Sequence, residues 1–159
     1  MKFLLEKNLS RLAKWLRFLG HDVKVLEGGI SREALARNQD RVFLTTSSRW
    51  ERTLKKAGMS YLVVPRHDWE LQLCAVLRHF GLEATLRLDR CAYCSEKLIP
   101  VRKEEVRERI PPRAYESAYD FTLCPRCGAL FWKGTHFEGM RRVLDRVLER
   151  CRPSGGSAG

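Results

Sequence analysis

Cysteines recur as two matched pairs, Cys91-Ala-Tyr-Cys94 and Cys124-Pro-Arg-Cys127. A two-residue gap lets both thiolates of a pair turn toward one point. Gly128 follows the second pair and permits the left-handed turn that finishes such a knuckle. Zn²⁺ takes four soft ligands in a tetrahedron, and a structural site leaves no position open. The two pairs therefore read as one four-cysteine zinc ribbon, with Cys91, Cys94, Cys124 and Cys127 as ligands. A redox Cys-x-x-Cys motif or two disulfides would use the same spacing. Redox motifs rarely come as two matched pairs, and disulfides need an oxidising compartment. The 29 residues between the pairs exceed the commonest spacing, so this loop must carry structure of its own. Such a site folds its domain and leaves chemistry elsewhere in the chain.

The rest of the chain alternates short apolar runs with helical periodicity. Residues 2–5, 22–26, 41–45 and 61–64 read as strands. Between them, Leu9, Leu12, Ala13, Leu16 and Leu19 recur at helical spacing and give the inner face of a helix over 9–19, with Asn8 or Ser10 as its cap. Ser31 caps a short helix near 32–38, and Ser48 one near 49–58. Asp68 caps another over 69–80, with Leu71, Leu73, Val76, Leu77 and Phe80 inward. Strand and helix in alternation predict an α/β layer built on a parallel sheet. The expected organisation is an α/β domain over 1–88, a zinc ribbon with a C-terminal helix over 89–151, and a disordered tail over 152–159. The 159 residues suffice for a core of about 90 residues and a small metal-stapled module.

The formal charge is +11, from 30 Lys+Arg against 19 Asp+Glu. The excess falls on both sides of Cys91, and arginine outnumbers lysine, which favours bidentate phosphate contacts. Nucleic acid is thus the expected partner. No apolar run approaches the ~18 residues of a membrane span. Cys74, in an apolar helical pattern, reads as a small core residue, and Cys151 is left over. Reduced thiols and zinc together predict a cytoplasmic protein.

Two longer runs are distinctive: residues 2–22, Lys-Phe-Leu-Leu-Glu-Lys-Asn-Leu-Ser-Arg-Leu-Ala-Lys-Trp-Leu-Arg-Phe-Leu-Gly-His-Asp, and Phe131-Trp-Lys-Gly-Thr-His136 after the second knuckle. With Phe43-Leu-Thr45, Arg107-Glu-Arg-Ile-Pro-Pro-Arg113 and Cys124-Pro-Arg-Cys127, they resemble the PIN-like ribonuclease family with a C-terminal zinc ribbon, named for the C-terminal domain of the Mut-seven exonuclease. The resemblance covers about residues 1–150. It implies a PIN-like Rossmannoid parallel sheet whose strand ends hold clustered carboxylates. Those carboxylates would bind Mg²⁺ or Mn²⁺ for RNA phosphodiester hydrolysis. Hard cations take oxygen ligands, so the cysteines cannot serve them.

Carried onto this chain, the catalytic set is Glu6, Asp22 and Asp68. Glu6 stands where the family has aspartate, Asp22 matches an acid of the family run, and Asp68 lies where a further acid could approach. Ser47 replaces an aspartate that follows the third strand. The strip Lys7, Arg11, Lys14 and Arg17 falls on the outer side of the first helix and is expected to contact the RNA backbone. Trp15 and Phe18 suit core packing, or stacking on bases, and Tyr93 and Trp132 suit packing around the zinc. The resulting expectation is a divergent metal-dependent ribonuclease. The alternative is a catalytically degenerate zinc-ribbon RNA-binding protein, since the acidic cluster is incomplete. A protein-docking adaptor is a third reading.

Overall fold

The computed structural model describes residues 1–152. Beyond Arg152, the tail expected to be disordered lies outside the described residues. The strands β1 (Lys2–Leu5), β2 (Asp22–Val25), β3 (Val42–Thr45) and β4 (Tyr61–Val63) form a parallel sheet in the order β2-β1-β3-β4. Phe3, Leu4 and Leu5 are all fully buried. Such an unalternating apolar run is what a strand covered on both faces requires.

The two faces carry separate cores. On one, α1 (Ser10–Phe18) and α4 (Trp69–Phe80) pack over Phe3, Leu5, Val23 and Leu44 through Leu12, Leu16, Leu73 and Val76. On the other, α2 (Arg32–Arg37) and α3 (Glu51–Lys56) cover Leu4 and Phe43 with Leu35 and Leu54. Caps fix two helix starts: the Ser31 hydroxyl accepts from the Ala34 amide at 3.1 Å, and the Asp68 carboxylate accepts from the amides of Glu70 and Leu71 at 3.0 and 3.3 Å. Neither Asn8 nor Ser10 caps α1, which is entered through a 3₁₀ turn over Lys7–Leu9. Gly81 closes α4 in the left-handed conformation at φ 61°. Leu71, expected inward, lies on the exposed side of α4.

Residues 82–90 run as an extended strap rather than a fifth strand. Leu82, Ala84 and Leu86 pack on the first core, and the amides of Arg87 and Leu88 donate to the Phe18 carbonyl at 2.9 and 3.1 Å. The strap delivers the chain to a three-stranded antiparallel sheet of β5 (Ile99–Pro100), β6 (Tyr119–Leu123) and β7 (Leu130–Lys133). The long loop between the cysteine pairs does carry structure: a 3₁₀ segment over Lys103–Arg109 and α5 (Pro112–Ser117). They pack with Ile110, Phe121 and Trp132 into a small third core.

The last helix, α6 (Thr135–Cys151), leaves the antiparallel sheet and returns to pack on α4. Leu144 and Val147 are buried in the first core, where α6 packs on α4. Cys151 forms a disulfide with Cys74 across α4 and α6, with Cα atoms 5.3 Å apart. This corrects the expectation of two reduced thiols. The partners are 77 positions apart, and only the packing of α6 on α4 brings them together.

Candidate functional site

Two knuckles converge on one point. The Cys91 and Cys127 sulfurs are 3.6 Å apart and those of Cys94 and Cys124 3.4 Å, with all four sulfurs within 4.8 Å of one another. A tetrahedron with Zn–S bonds of about 2.3 Å has edges of about 3.8 Å, so the four cysteines can hold a metal ion such as zinc. Amides support the sulfurs: Tyr93 N–H points at Cys91 Sγ and Cys127 N–H at Cys124 Sγ, each at 3.4 Å. Gly128 takes φ 78° in the second knuckle, while the matching place in the first is held by Ser95 at φ 69°. Burial pushes the Cys91 thiol up to about 12, so a bound cation is what would keep it a thiolate.

Ser95 tolerates that conformation because its side chain is anchored. Its hydroxyl accepts from the Val23 amide at 2.8 Å and lies 3.4 Å from the His21 carbonyl. The Val23 carbonyl is claimed by Arg17, through Nε at 3.2 Å and Nη2 at 2.8 Å, and Arg17 Nη1 donates to the Ala92 carbonyl at 2.9 Å. Strand β2 is the edge of the parallel sheet, and the first knuckle covers that edge. Burial lowers the Arg17 pKa, opposed by the nearby Cys91, Cys94 and Asp22. Arg17 is thus a structural clamp. The expectation that it faces RNA is corrected: it is 8 % exposed.

The strand order reverses direction between β1 and β3, and ligands of open parallel sheets gather outside the carboxyl ends at such a switch point. Glu6 and Thr45 flank it. The buried Thr45 hydroxyl donates to the Glu6 carboxylate and accepts from the Ser47 amide at 3.1 Å. Asn8 reaches across to the Thr46 hydroxyl at 3.3 Å. Beside this point lies a 520 Å³ cavity lined by Asn8, Arg11, Thr46, Arg66, His67 and Trp69 among others, with no acid in its lining.

The two other expected acids do not join Glu6. Asp22 pairs in register with Lys2, at the amino end of the sheet. Four residues of strand, about 13 Å, separate that end from Glu6. Its carboxylate is held by Arg41 at 3.1 Å and Arg90 at 3.9 Å. Asp68 caps α4 and is bound by Arg150 at 2.8 Å. Hydrogen bonding to Arg150 lowers its pKa, and the neighbouring Glu70 is lowered in the same way, chiefly by Arg146. The four cysteines are the one cluster of three or more Cys, His, Asp or Glu donors among the described residues. A divalent hard cation takes about six oxygen ligands. Glu6 with neutral Thr45, Thr46 and Ser47 does not supply the carboxylate set that Mg²⁺ or Mn²⁺ would require.

Lys7, Arg11 and Lys14 are exposed, as expected. Trp15 is 7 % exposed and stacks on Trp69 with centroids 5.1 Å apart, so it serves the core. Arg11 lies over the Trp69 ring at 4.9 Å. Tyr93, expected to pack around the zinc, is instead 69 % exposed. Arg66, His67, Lys24 and Arg126 line the cavities but were not singled out by the sequence, since isolated basic residues in a basic chain carry no periodic signal.

No helix among the described residues is long and apolar enough to cross a membrane. No curated protein and no solved structure matches the chain. One family model, described as the Mut7-C RNAse domain, matches residues 1–144. That span contains the parallel sheet, its switch point, both knuckles and most of the returning helix, and the chain belongs to the Mut7-C RNAse domain family.

Proposed function

We propose that this chain is an RNA-binding member of its ribonuclease family, built on a PIN-like body, in which the strand-end site engages phosphate directly. The observation that carries this reading is the lining of the strand-end cavity: Arg11, Arg66 and His67 with no acid. Lys7 adds charge at the entry to α1, and the chain as a whole carries +11. Family membership supports RNA as the target. Guanidinium groups offer planar, paired donors to phosphate oxygens, and neutralising several phosphates makes such binding steeply salt-dependent. The zinc module contributes by folding and by covering the edge of β2.

Cleavage is the second reading, favoured by the placement of Glu6 at the switch point with Thr45 behind it. One experiment separates the two. The full chain is titrated against labelled single-stranded RNA at several salt concentrations, and the same RNA is incubated with the chain and Mn²⁺. The binding reading expects affinity that falls with salt, weakens in Arg11→Ala and Arg66→Ala, and survives Glu6→Gln, with no Mn²⁺-dependent product. Product that appears with Mn²⁺ and disappears in Glu6→Gln establishes the nuclease instead. Absence of both binding and product overturns both.

A further inference from the structure

A second cleft, of about 790 Å³, runs beside β2 between the first turn of α1 and the cysteine knuckles. Its charges divide into two groups. Arg41 and Arg90 are tied to Asp22, Arg90 also donates to the Ser95 and Gly20 carbonyls, and Arg17 is spent on Val23 and Ala92. Lys7, Lys24 and Arg126 line the same cleft and have no ion pair among the described residues; Glu27 and Glu96 line it too, and basic groups outnumber acids in the lining. Tyr93 stands at its lip, 69 % exposed, with its ring tilted against Phe131 at 6.0 Å. The first knuckle presents Tyr93 outward from between its cysteines, and the second presents Arg126 beside Pro125.

We infer that this cleft is a binding track for single-stranded RNA, in which Lys7, Lys24 and Arg126 contact phosphates and Tyr93 stacks on an unpaired base. The inference deepens the RNA-binding reading and rests on it. A solvent-facing aromatic ring beside unpaired cations is the combination by which single strands are held without sequence readout. A duplex keeps its bases stacked inside and offers Tyr93 no partner. The cleft and the strand-end cavity meet at the entry to α1: Lys7 and Ser10 line the first, Asn8 and Arg11 the second. One strand can thus pass from the switch point to the cysteine knuckles over a surface in which basic groups outnumber acids. The knuckles act here as rigid mounts, since Ser95 and Arg17 fix the first of them to β2.

The test uses the full chain, a labelled oligouridylate, the same label on an RNA duplex, and polyglutamate as competitor, with zinc content measured for each variant. Tyr93→Ala is expected to weaken oligouridylate binding about tenfold and Tyr93→Phe to retain it. Lys24→Ala and Arg126→Ala are each expected to lower the salt slope by about 0.7. A 4-thiouridine probe is expected to crosslink to the peptide carrying Tyr93. Wild-type binding that is unchanged in Tyr93→Ala and Lys24→Ala overturns the track while leaving the strand-end reading intact. Equal preference for duplex, or displacement by polyglutamate as effective as by RNA, also overturns it. If the wild-type chain binds no RNA, track and RNA-binding reading fall together. Lys24 lies on β2, outside both knuckles, so its variant decides the matter should Tyr93→Ala lose zinc.

Discussion

Arg17 and Ala92, 75 positions apart, are joined by a 2.9 Å hydrogen bond from guanidinium to carbonyl. The same guanidinium holds Val23, so one buried side chain binds α1, the edge strand and the first cysteine knuckle. Replacing it by alanine strands two carbonyls. Arg17→Ala is expected to destabilise the fold by about 2–4 kcal/mol in urea unfolding. Arg17→Lys should recover only part of this, because an ammonium cannot span both acceptors. Wild-type stability in Arg17→Ala would remove the clamp.

Freshly purified protein is expected to hold one zinc ion per chain, by elemental analysis. Chelation, or Cys124→Ser, should strip amide protection from β5, β6 and β7 in hydrogen exchange while β1, β3 and β4 keep theirs, because the ribbon core of Ile110, Ala118 and Phe121 is separate from the two cores of the sheet. Uniform loss across the chain would show instead that the body depends on the metal.

His21 sets an acid limit. Burial, and after it the positive charges of the chain's amino group, Arg87 and Arg90, lower its pKa to about 4, with Asp89 opposing them. Its ring also packs edge-on to Phe3, with centroids 5.7 Å apart. The unfolded chain takes up the proton near pH ~6.5, whereas the folded chain resists until about pH 4. Its contribution to stability is therefore constant above the unfolded value and falls as pH drops between the two. Unfolding midpoints measured from pH 7 to pH 4 should show this decline, and His21→Asn should flatten it. An identical decline in the variant would assign it to other groups.

The Cys74–Cys151 disulfide closes a loop spanning 77 positions, which includes the whole ribbon. A loop of that size corresponds to at most about 4.5 kcal/mol of removed chain entropy. Reduction, or Cys151→Ser, is expected to cost about 2–4 kcal/mol in denaturant unfolding and leave zinc content unchanged. Equal stability with and without reductant would show that α6 is held by packing alone.

Local signals carried much of this far. Apolar runs placed all four parallel strands, Ser31 and Asp68 announced two helix starts, and the cysteine spacing announced the knuckles. What escaped notice depends on contacts distant in sequence. Arg17 follows the helical pattern of an outer face, yet the ribbon arrives and covers it. Asp22 was grouped with Glu6 because it matches an acid of the family run, but the parallel register sets it at the far end of the sheet. Asp68 was legible as a cap and not as a partner of Arg150, 82 positions away. The exposure of Tyr93 follows from the way the knuckle turns on β2, which no spacing records.

The return of α6 has a consequence for synthesis. Leu144 and Val147 join the first core through α4, a helix made from the first half of the chain. A nascent chain emerging from the ribosome can pair β1 through β4 and cover both faces of the sheet early, but the side of α4 that receives α6 stays bare until the ribbon has passed and the final turns appear. The appendage must be threaded out before the older half can shut.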